Sequence, residues 1–141
     1  MKTRTLLLLA LACGVAILLA GGVLLVQLAG RDDPEPPAAI GQTVTVGDMS
    51  VRVDGATERD GVVVVDVVVG GVADDDGAAG FRMIASGRPA PALDGDDSCV
   101  ATTASPTACV LRFDVSGADG SSRVLFYARG EESARWELDT R

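Results

Sequence analysis

The sequence predicts an all-β fold, an antiparallel β-sandwich, that follows one N-terminal transmembrane α-helix. Residues 5–30 carry no charged side chain, although 23% of the 141 residues are charged. From Gly41 onward the apolar residues recur with a period of two, and no stretch after Gly30 shows the helical period. About 100 residues remain after the apolar block, enough for one domain with one core.

The apolar block, residues 5–30, is long enough to cross a bilayer, since about 20 apolar residues span its core. Its leucine, valine and isoleucine side chains favour insertion by about 7 kcal/mol before Gln27 and the glycines are counted. Lys2 and Arg4 precede the block, and positive flanks stay in the cytoplasm. We therefore expect a cytoplasmic tail at residues 1–4, a plasma-membrane helix at 5–30 and an extracytoplasmic C-terminal domain.

Two alternatives for the apolar block remain open. One is a cleaved signal peptide, for which the segment 10–12, Ala-Leu-Ala, has suitable small side chains but follows a short apolar run. The other is lipidation at Cys13, although Ala10 stands where a lipobox has leucine and the sequence stays apolar to Gly30. Without either modification, Cys13 is a small hydrophobic residue within a membrane helix.

Residues 31–40 predict a short, acidic, proline-rich linker. Pro34, Pro36 and Pro37 exclude a regular helix and favour polyproline II. A stretch of this length in that conformation reaches about 30 Å. We expect a semi-rigid stalk here, with the extracytoplasmic sandwich at residues 41–141.

Alternation of apolar and polar residues predicts the strands of the domain. The strongest is 62–69, in which only Asp66 is not valine; both of its faces are apolar, so we place it at the centre of a sheet. Asp66 must then reach solvent or find a donor. The other predicted strands are 42–46, 49–54, 81–86, 108–115, 122–129 and 134–139. Short strands with turns every 8–12 residues indicate an antiparallel sandwich of immunoglobulin-like size.

The patterns also predict which side chains face the core. Leu111, Phe113 and Val115 alternate with polar neighbours, so they should point inward. Trp136 alternates with Leu138 in the last strand and is interpreted as a core residue. Both alternating sets of 122–129 are apolar, so this strand is also expected to be central.

The charge of the domain limits its partners. Lys2 and Arg4 account for two of the 12 basic residues, which leaves ten against all 20 acidic residues from Arg31 onward. The resulting net charge of −10 repels nucleic acid and anionic membranes. Since the sequence shows neither a basic patch nor an aromatic stacking platform, we expect no nucleic-acid partner.

The composition also argues against catalysis. The chain has no histidine, the commonest general base and zinc ligand. Its serines lack an activating base, and few aromatic side chains are available to line a sugar cleft between paired carboxylates. We expect neither an enzyme nor a bound cofactor.

Cys99 and Cys109 are predicted to form a disulfide, because an even pair outside the cytoplasm oxidises. The closed loop of about 11 residues is worth roughly 2.7 kcal/mol. A redox role is not expected, since the spacing differs from Cys-x-x-Cys and no basic group adjoins the pair.

Two acidic clusters are weak candidates for calcium ligands, because calcium prefers six to eight oxygen ligands. Neither cluster has the spacing of an EF-hand loop, so the two could share an ion only if their loops met at one end of the sandwich. The clusters comprise Asp74, Asp75, Asp76, Asp94, Asp96 and Asp97.

Residues 41–53, GQTVTVGDMSVRV, and 61–69, GVVVVDVVV, resemble the opening of the telokin-like, immunoprotective-extracellular domains. That family often has asparagine after the valine-rich strand, where this chain has Gly70 and Gly71. The resemblance implies an immunoglobulin-like sandwich outside the cell, of the kind found in bacterial lipoproteins and membrane-anchored envelope proteins. It supplies no catalytic residues.

Together these features predict a membrane-anchored, extracytoplasmic module of the cell envelope that binds a protein or another surface component. Two alternatives remain open. One is an accessory subunit that docks onto a membrane complex through its helix, where Gly21 and Gly22 could permit a close approach. The other is a calcium-responsive surface domain.

Overall fold

The computed structural model describes residues 2–30 and 35–140. The chain divides into two compact units, residues 1–36 and 37–141. The first contains a helix and the second a β-sandwich. Part of the predicted linker, residues 31–34, lies outside the described residues, as do both terminal residues of the chain.

Helix α1 comprises Thr3–Ala29, within two residues of the predicted start and one of the predicted end. None of its residues is buried, and apolar side chains surround it on every face. It is the one helix among the described residues that is long and apolar enough to span a membrane. Such a surface is typical of a helix surrounded by lipid, because exposing so many apolar side chains to water would be unfavourable.

The sandwich unit contains strands β1 (Thr43–Val46), β2 (Met49–Arg59), β3 (Val62–Gly70), β4 (Phe81–Ala85), β5 (Arg88–Ala90), β6 (Ala92–Leu93), β7 (Thr107–Asp114), β8 (Arg123–Arg129) and β9 (Glu132–Glu137). The first sheet has the order β1-β2-β3-β7-β6, and the second has the order β5-β4-β8-β9. All strand pairs are antiparallel. The predicted sandwich of antiparallel strands is confirmed.

Strand β2 is longer than predicted. It continues through a bulge between Val53 and Gly55 and ends only at the two-residue turn formed by Asp60 and Gly61. Both turn residues have positive φ, 52° and 76°, as the tight turns of β-hairpins require. The bulge interrupts the simple alternation of the sequence, which explains why the pattern predicted a strand end near Asp54.

Strand β3 lies at the centre of the first sheet, as predicted, between β2 and β7. Val63, Val65, Val67 and Val69 are buried, whereas the opposite face of the strand is partly exposed. Asp66 lies on that outer face and is exposed, so its carboxylate reaches solvent and needs no buried donor.

The core lies between the two sheets. Trp136 and Tyr127 are the largest fully buried side chains, and Trp136 is 0% exposed. Tyr127 satisfies its hydroxyl by donating to the carbonyl oxygen of Gly77 at 2.8 Å. The inward-pointing side chains predicted from the pattern, Leu111, Phe113 and Val115, are all buried, and so is Trp136.

Two features of the sandwich were not predicted. Strands β5 and β6 are too short to show a period of two. Strand β5 pairs with β4 in the second sheet and β6 pairs with β7 in the first, so the chain passes from one sheet to the other between them. Residues 37–40, assigned to the linker by composition, belong to the sandwich unit. Ala38 donates its N–H to the carbonyl oxygen of Arg135 on β9 at 2.8 Å.

Candidate functional site

The outer face of the second sheet carries an apolar centre flanked by arginines. Arg82 on β4 lies opposite Phe126 on β8, which in turn lies opposite Arg135 on β9. The next row contains Ile84 opposite Val124. All five residues alternate with neighbours that are buried or pack against the core, and they point away from the core. These five residues are called the arginine face below.

The apolar side chains of the arginine face are only partly covered. Ile84, Val124 and Phe126 are half-buried, and Arg82 is exposed. Residues directly opposite in an antiparallel pair have β-carbons about 4.5–5.5 Å apart. The side chains of Arg82 and Arg135 therefore leave the sheet on either side of Phe126. Glu137, opposite Val124, adds one exposed carboxylate at the β9 side.

The arginines of the sandwich divide into paired and unpaired groups. The paired arginines are Arg52, Arg112, Arg123 and Arg129. Within the described residues, the arginines without an ion pair are Arg59, Arg82, Arg88 and Arg135. Of these, only Arg59 lies on the first sheet. The second sheet therefore concentrates the free positive charge of an otherwise acidic domain.

The outer face of the first sheet differs in this respect. It also presents partly exposed valines, but two of its arginines are neutralised by nearby carboxylates. Arg52 Nε lies 2.6 Å from Asp54 Oδ1, and Arg112 Nη1 lies 2.7 Å from Asp97 Oδ1. These contacts hold the pKa of both aspartates below its ordinary value. The third arginine of this face, Arg59, stands at its end beside the β2–β3 turn.

Arg129, at the end of β8, ties together two loops of the sandwich. Its Nε donates to Asp48 Oδ1 at 2.8 Å, and its Nη1 donates to Asp74 Oδ2 at 2.6 Å. Asp48 belongs to the β1–β2 turn, and Asp74 belongs to the segment after β3. The hydrogen bond from Arg129 lowers the pKa of Asp48. Two hydrogen bonds lower the pKa of Asp74: the backbone N–H of Asp76 donates the one with the larger effect, and the side chain of Arg129 donates the other.

Acid is expected to weaken the sandwich through Asp48 and Asp74. Their folded-state pKa values lie below the ordinary 3.8, so the stabilisation is complete above that value and is lost as the pH falls below it. Melting temperatures measured between pH 6 and pH 2 should fall less steeply in the variant carrying Asp48→Asn and Asp74→Asn. Asp66→Asn, at an exposed site with no ion pair to any described residue, is the control; a loss of slope in this variant equal to that in the double variant would contradict the assignment.

The predicted disulfide between Cys99 and Cys109 is present, with an S–S distance of 2.02 Å and a Cα–Cα distance of 5.1 Å. It fastens the segment before β7 to β7 itself, where the N–H of Cys99 also donates to the carbonyl oxygen of Val110 at 3.1 Å. Cys13, in the helix, is a free thiol. The bond therefore closes a local loop and does not join the two sheets.

Replacing both Cys99 and Cys109 with alanine should destabilise the sandwich by about 2.7 kcal/mol, because the unfolded chain regains the freedom of the loop. Urea unfolding followed by circular dichroism measures this loss. The Cys13→Ala variant is the matched control and should unfold at the same urea concentration as the native chain. If reductant failed to shift the midpoint of the native chain, the stabilising role would be wrong.

The six aspartates considered as calcium ligands lie in different surroundings. Asp74 pairs with Arg129, and Asp97 pairs with Arg112. The remaining four, Asp75, Asp76, Asp94 and Asp96, are exposed. In the parts of the chain that the structure describes, no three acidic, cysteine or histidine side chains converge as a metal site would require. The structure thus gives no geometric support for one ion shared between the two loops.

A shallow cleft of about 310 Å³ lies where the chain passes from β5 to the first sheet. Ala85 and Val115 form its buried apolar floor. Its one carboxylate, Asp114, accepts hydrogen bonds from Ser116 N at 2.9 Å and from Ser116 Oγ at 2.6 Å, which lower its pKa. This carboxylate is therefore held ionised by its neighbour and is a poor proton acceptor near neutral pH.

The sequence alone did not reveal the arginine face, because the face depends on which residues lie opposite one another in three strands. One signal was available in β8, where both alternating sets are apolar although only Leu125 and Tyr127 reach the core. The outward set, with Phe126 at its centre, has no role in core packing. Comparison of the chain with protein-family models, curated proteins and solved structures found no match.

Proposed function

We propose that the chain is a membrane-anchored, extracytoplasmic binding module of the cell envelope, and that its sandwich contacts a protein partner through the arginine face. The observation that carries the proposal is the partly exposed apolar centre between two arginines that have no ion pair within the described residues. The proposed activity is binding without catalysis.

The strand order supports an immunoglobulin-like sandwich. Strands β2-β3-β7-β6 follow the order A-B-E-D, and β5-β4-β8-β9 follow the order C′-C-F-G of that fold, with β1 added at one edge. Residues 41–69, which resemble the telokin-like domains, form β1, β2 and β3. One departure is the disulfide, because antibody domains bridge their two sheets and this chain does not.

The location outside the cytoplasm is supported by three features of the chain. The helix is apolar on all faces beyond its first turn, and the basic residues Lys2 and Arg4 lie at its N-terminal end, as expected for a cytoplasmic N-terminus. The disulfide between Cys99 and Cys109 suits an oxidising compartment. Together these features favour an anchor in the plasma membrane with the sandwich on its outer side.

The composition of the arginine face supports a role in protein binding. Aromatic residues and arginine are enriched at protein interfaces and among the residues that dominate binding energy. Covering the partly exposed Phe126, Ile84 and Val124 would remove further apolar surface from water at about 25 cal/mol per Å². The unpaired guanidinium groups would provide orientation and specificity.

Site-specific photo-crosslinking of the full chain in its native membrane tests this proposal. A photoreactive phenylalanine at position 126 should form a discrete protein adduct, whereas the same group at Thr57, on the outer face of the first sheet, should not. Adducts at position 57 but not at 126 would place the interface elsewhere and refute the proposal. Loss of the adduct on Gly21→Leu and Gly22→Leu substitution would instead favour docking through the helix.

A further inference from the structure

We infer that the partner segment bound by the arginine face is acidic, with carboxylates that flank an apolar side chain. This inference rests on the proposed function, since it assigns the chemistry of the partner at the same face. Arg82 and Arg135 would bind the carboxylates, and Phe126 would contact the apolar side chain between them. The occupant is therefore a protein segment, rather than a lipid surface or a second copy of this chain.

Charge distribution favours an acidic segment. From residue 31 onward the chain has ten basic and 20 acidic residues, yet the arginine face holds two unpaired positive charges, with Arg88 on the adjoining β5. In an acidic domain, carboxylates are available to neutralise arginines, as they do for Arg52 and Arg112 on the opposite face. Because Arg82 and Arg135 have no ion pair within the described residues, their guanidinium groups remain available to bind an external anion.

Geometry sets the spacing of the recognised groups. Arg82 and Arg135 lie on β4 and β9, the two neighbours of β8, so their backbones are about 10 Å apart across the sheet. Carboxylates four residues apart in an extended segment share one face with the apolar residue midway between them, and they are about 13 Å apart, a distance that two long arginine side chains can span. Guanidinium forks bind carboxylates through two parallel hydrogen bonds, which adds directionality to the charge attraction.

Two other occupants fit the charges less well. An anionic membrane would face the net charge of −10 of the whole domain, whereas a short segment meets mainly the local charge of the arginine face. A second copy would present the same two arginines in a symmetric contact, so like charges would approach each other. Glu137 supplies only one carboxylate beside that pair.

The test uses the full chain in nanodiscs of zwitterionic lipid and a fluorescent peptide containing Glu-Ser-Leu-Ser-Glu between glycines, in which both Glu side chains and the Leu side chain share one face of an extended segment. Fluorescence anisotropy should show binding that weakens at least tenfold in the variant carrying Arg82→Glu and Arg135→Glu. The matched control is Arg59→Glu, which removes an unpaired arginine from the other sheet and should change the dissociation constant less than twofold. Phe126→Ser should also weaken binding, and a peptide with Gln in place of both Glu residues should bind at least tenfold more weakly.

Several outcomes would overturn the inference. These are the absence of peptide binding, equal losses in the Arg59→Glu and double variants, tighter binding to phosphatidylglycerol vesicles than to the peptide, or dimerisation that the double variant abolishes. If the peptide fails while position 126 still crosslinks to a protein in cells, only the acidic character of the partner is wrong. If position 126 also fails to crosslink, the proposed function itself is wrong.

Discussion

Replacing Trp136 with alanine is expected to destabilise the sandwich by about 3–5 kcal/mol, because Trp136 is its largest fully buried side chain. Trp136 is 0% exposed and lies opposite Leu125, so its removal leaves a cavity between the two sheets. Urea unfolding followed by far-ultraviolet circular dichroism measures the loss, since the variant has no tryptophan fluorescence.

Two further variants make this result interpretable. Glu137→Ala changes the next residue of β9, which points outward and is exposed, and should alter the free energy of unfolding by less than about 0.5 kcal/mol. If Trp136→Ala does not fold, Trp136→Phe keeps much of the apolar volume and should show a smaller, measurable loss. Equal stability of the Trp136→Ala and Glu137→Ala variants would contradict the core assignment.

Replacing Glu58 with alanine should cost about 3 kcal/mol, because it leaves a buried guanidinium without its counter-ion. Arg123 is only 4% exposed, and its Nε and Nη2 donate to the two carboxylate oxygens of Glu58 at 2.9 and 3.1 Å. Its Nη1 still donates to the carbonyl oxygens of Gly120 and Ser122 at 2.9 Å, which limits the loss. Thermal and urea unfolding of the full chain provide the measurement.

The exposed pair of Arg52 and Asp54 provides the control. The side chains of Arg52 and Asp54 are 41% and 42% exposed. Asp54→Ala should therefore change the free energy of unfolding by less than about 1 kcal/mol. The loss in free energy of unfolding for Glu58→Gln should lie between those for Glu58→Ala and Asp54→Ala, since glutamine retains hydrogen-bonding capacity without the charge. A Glu58→Ala variant as stable as Asp54→Ala would show that solvent reaches Arg123 after substitution.

Much of the fold could be predicted because the patterns are local. The uncharged run located the helix, alternation located the longer strands, and the valine-rich segment 62–69 marked the central strand of the first sheet. Asp66 interrupts that segment without disturbing it, because its face is open to solvent. The disulfide followed from the chemistry of an even cysteine pair in a domain that was expected to lie outside the cytoplasm.

The candidate site could not be predicted in the same way, because it depends on long-range register. Nothing in the local sequence places Arg82, Phe126 and Arg135 in one row, since they come from three separate strands. The acidic clusters show the converse: they are conspicuous in the sequence, yet Asp74 and Asp97 are neutralised by arginines from distant strands. Local composition indicated charge but could not indicate its partner.

The hydrogen bond from Ala38 to Arg135 also affects how readily the domain aggregates at high protein concentration. Strand β9 ends the second sheet, and the outward backbone groups of such a strand can recruit a strand from a neighbouring molecule. The segment that begins at Pro37 occupies part of this edge. Excised forms that begin after Gly41 would expose the edge and should precipitate at concentrations at which forms retaining Pro37 remain dispersed.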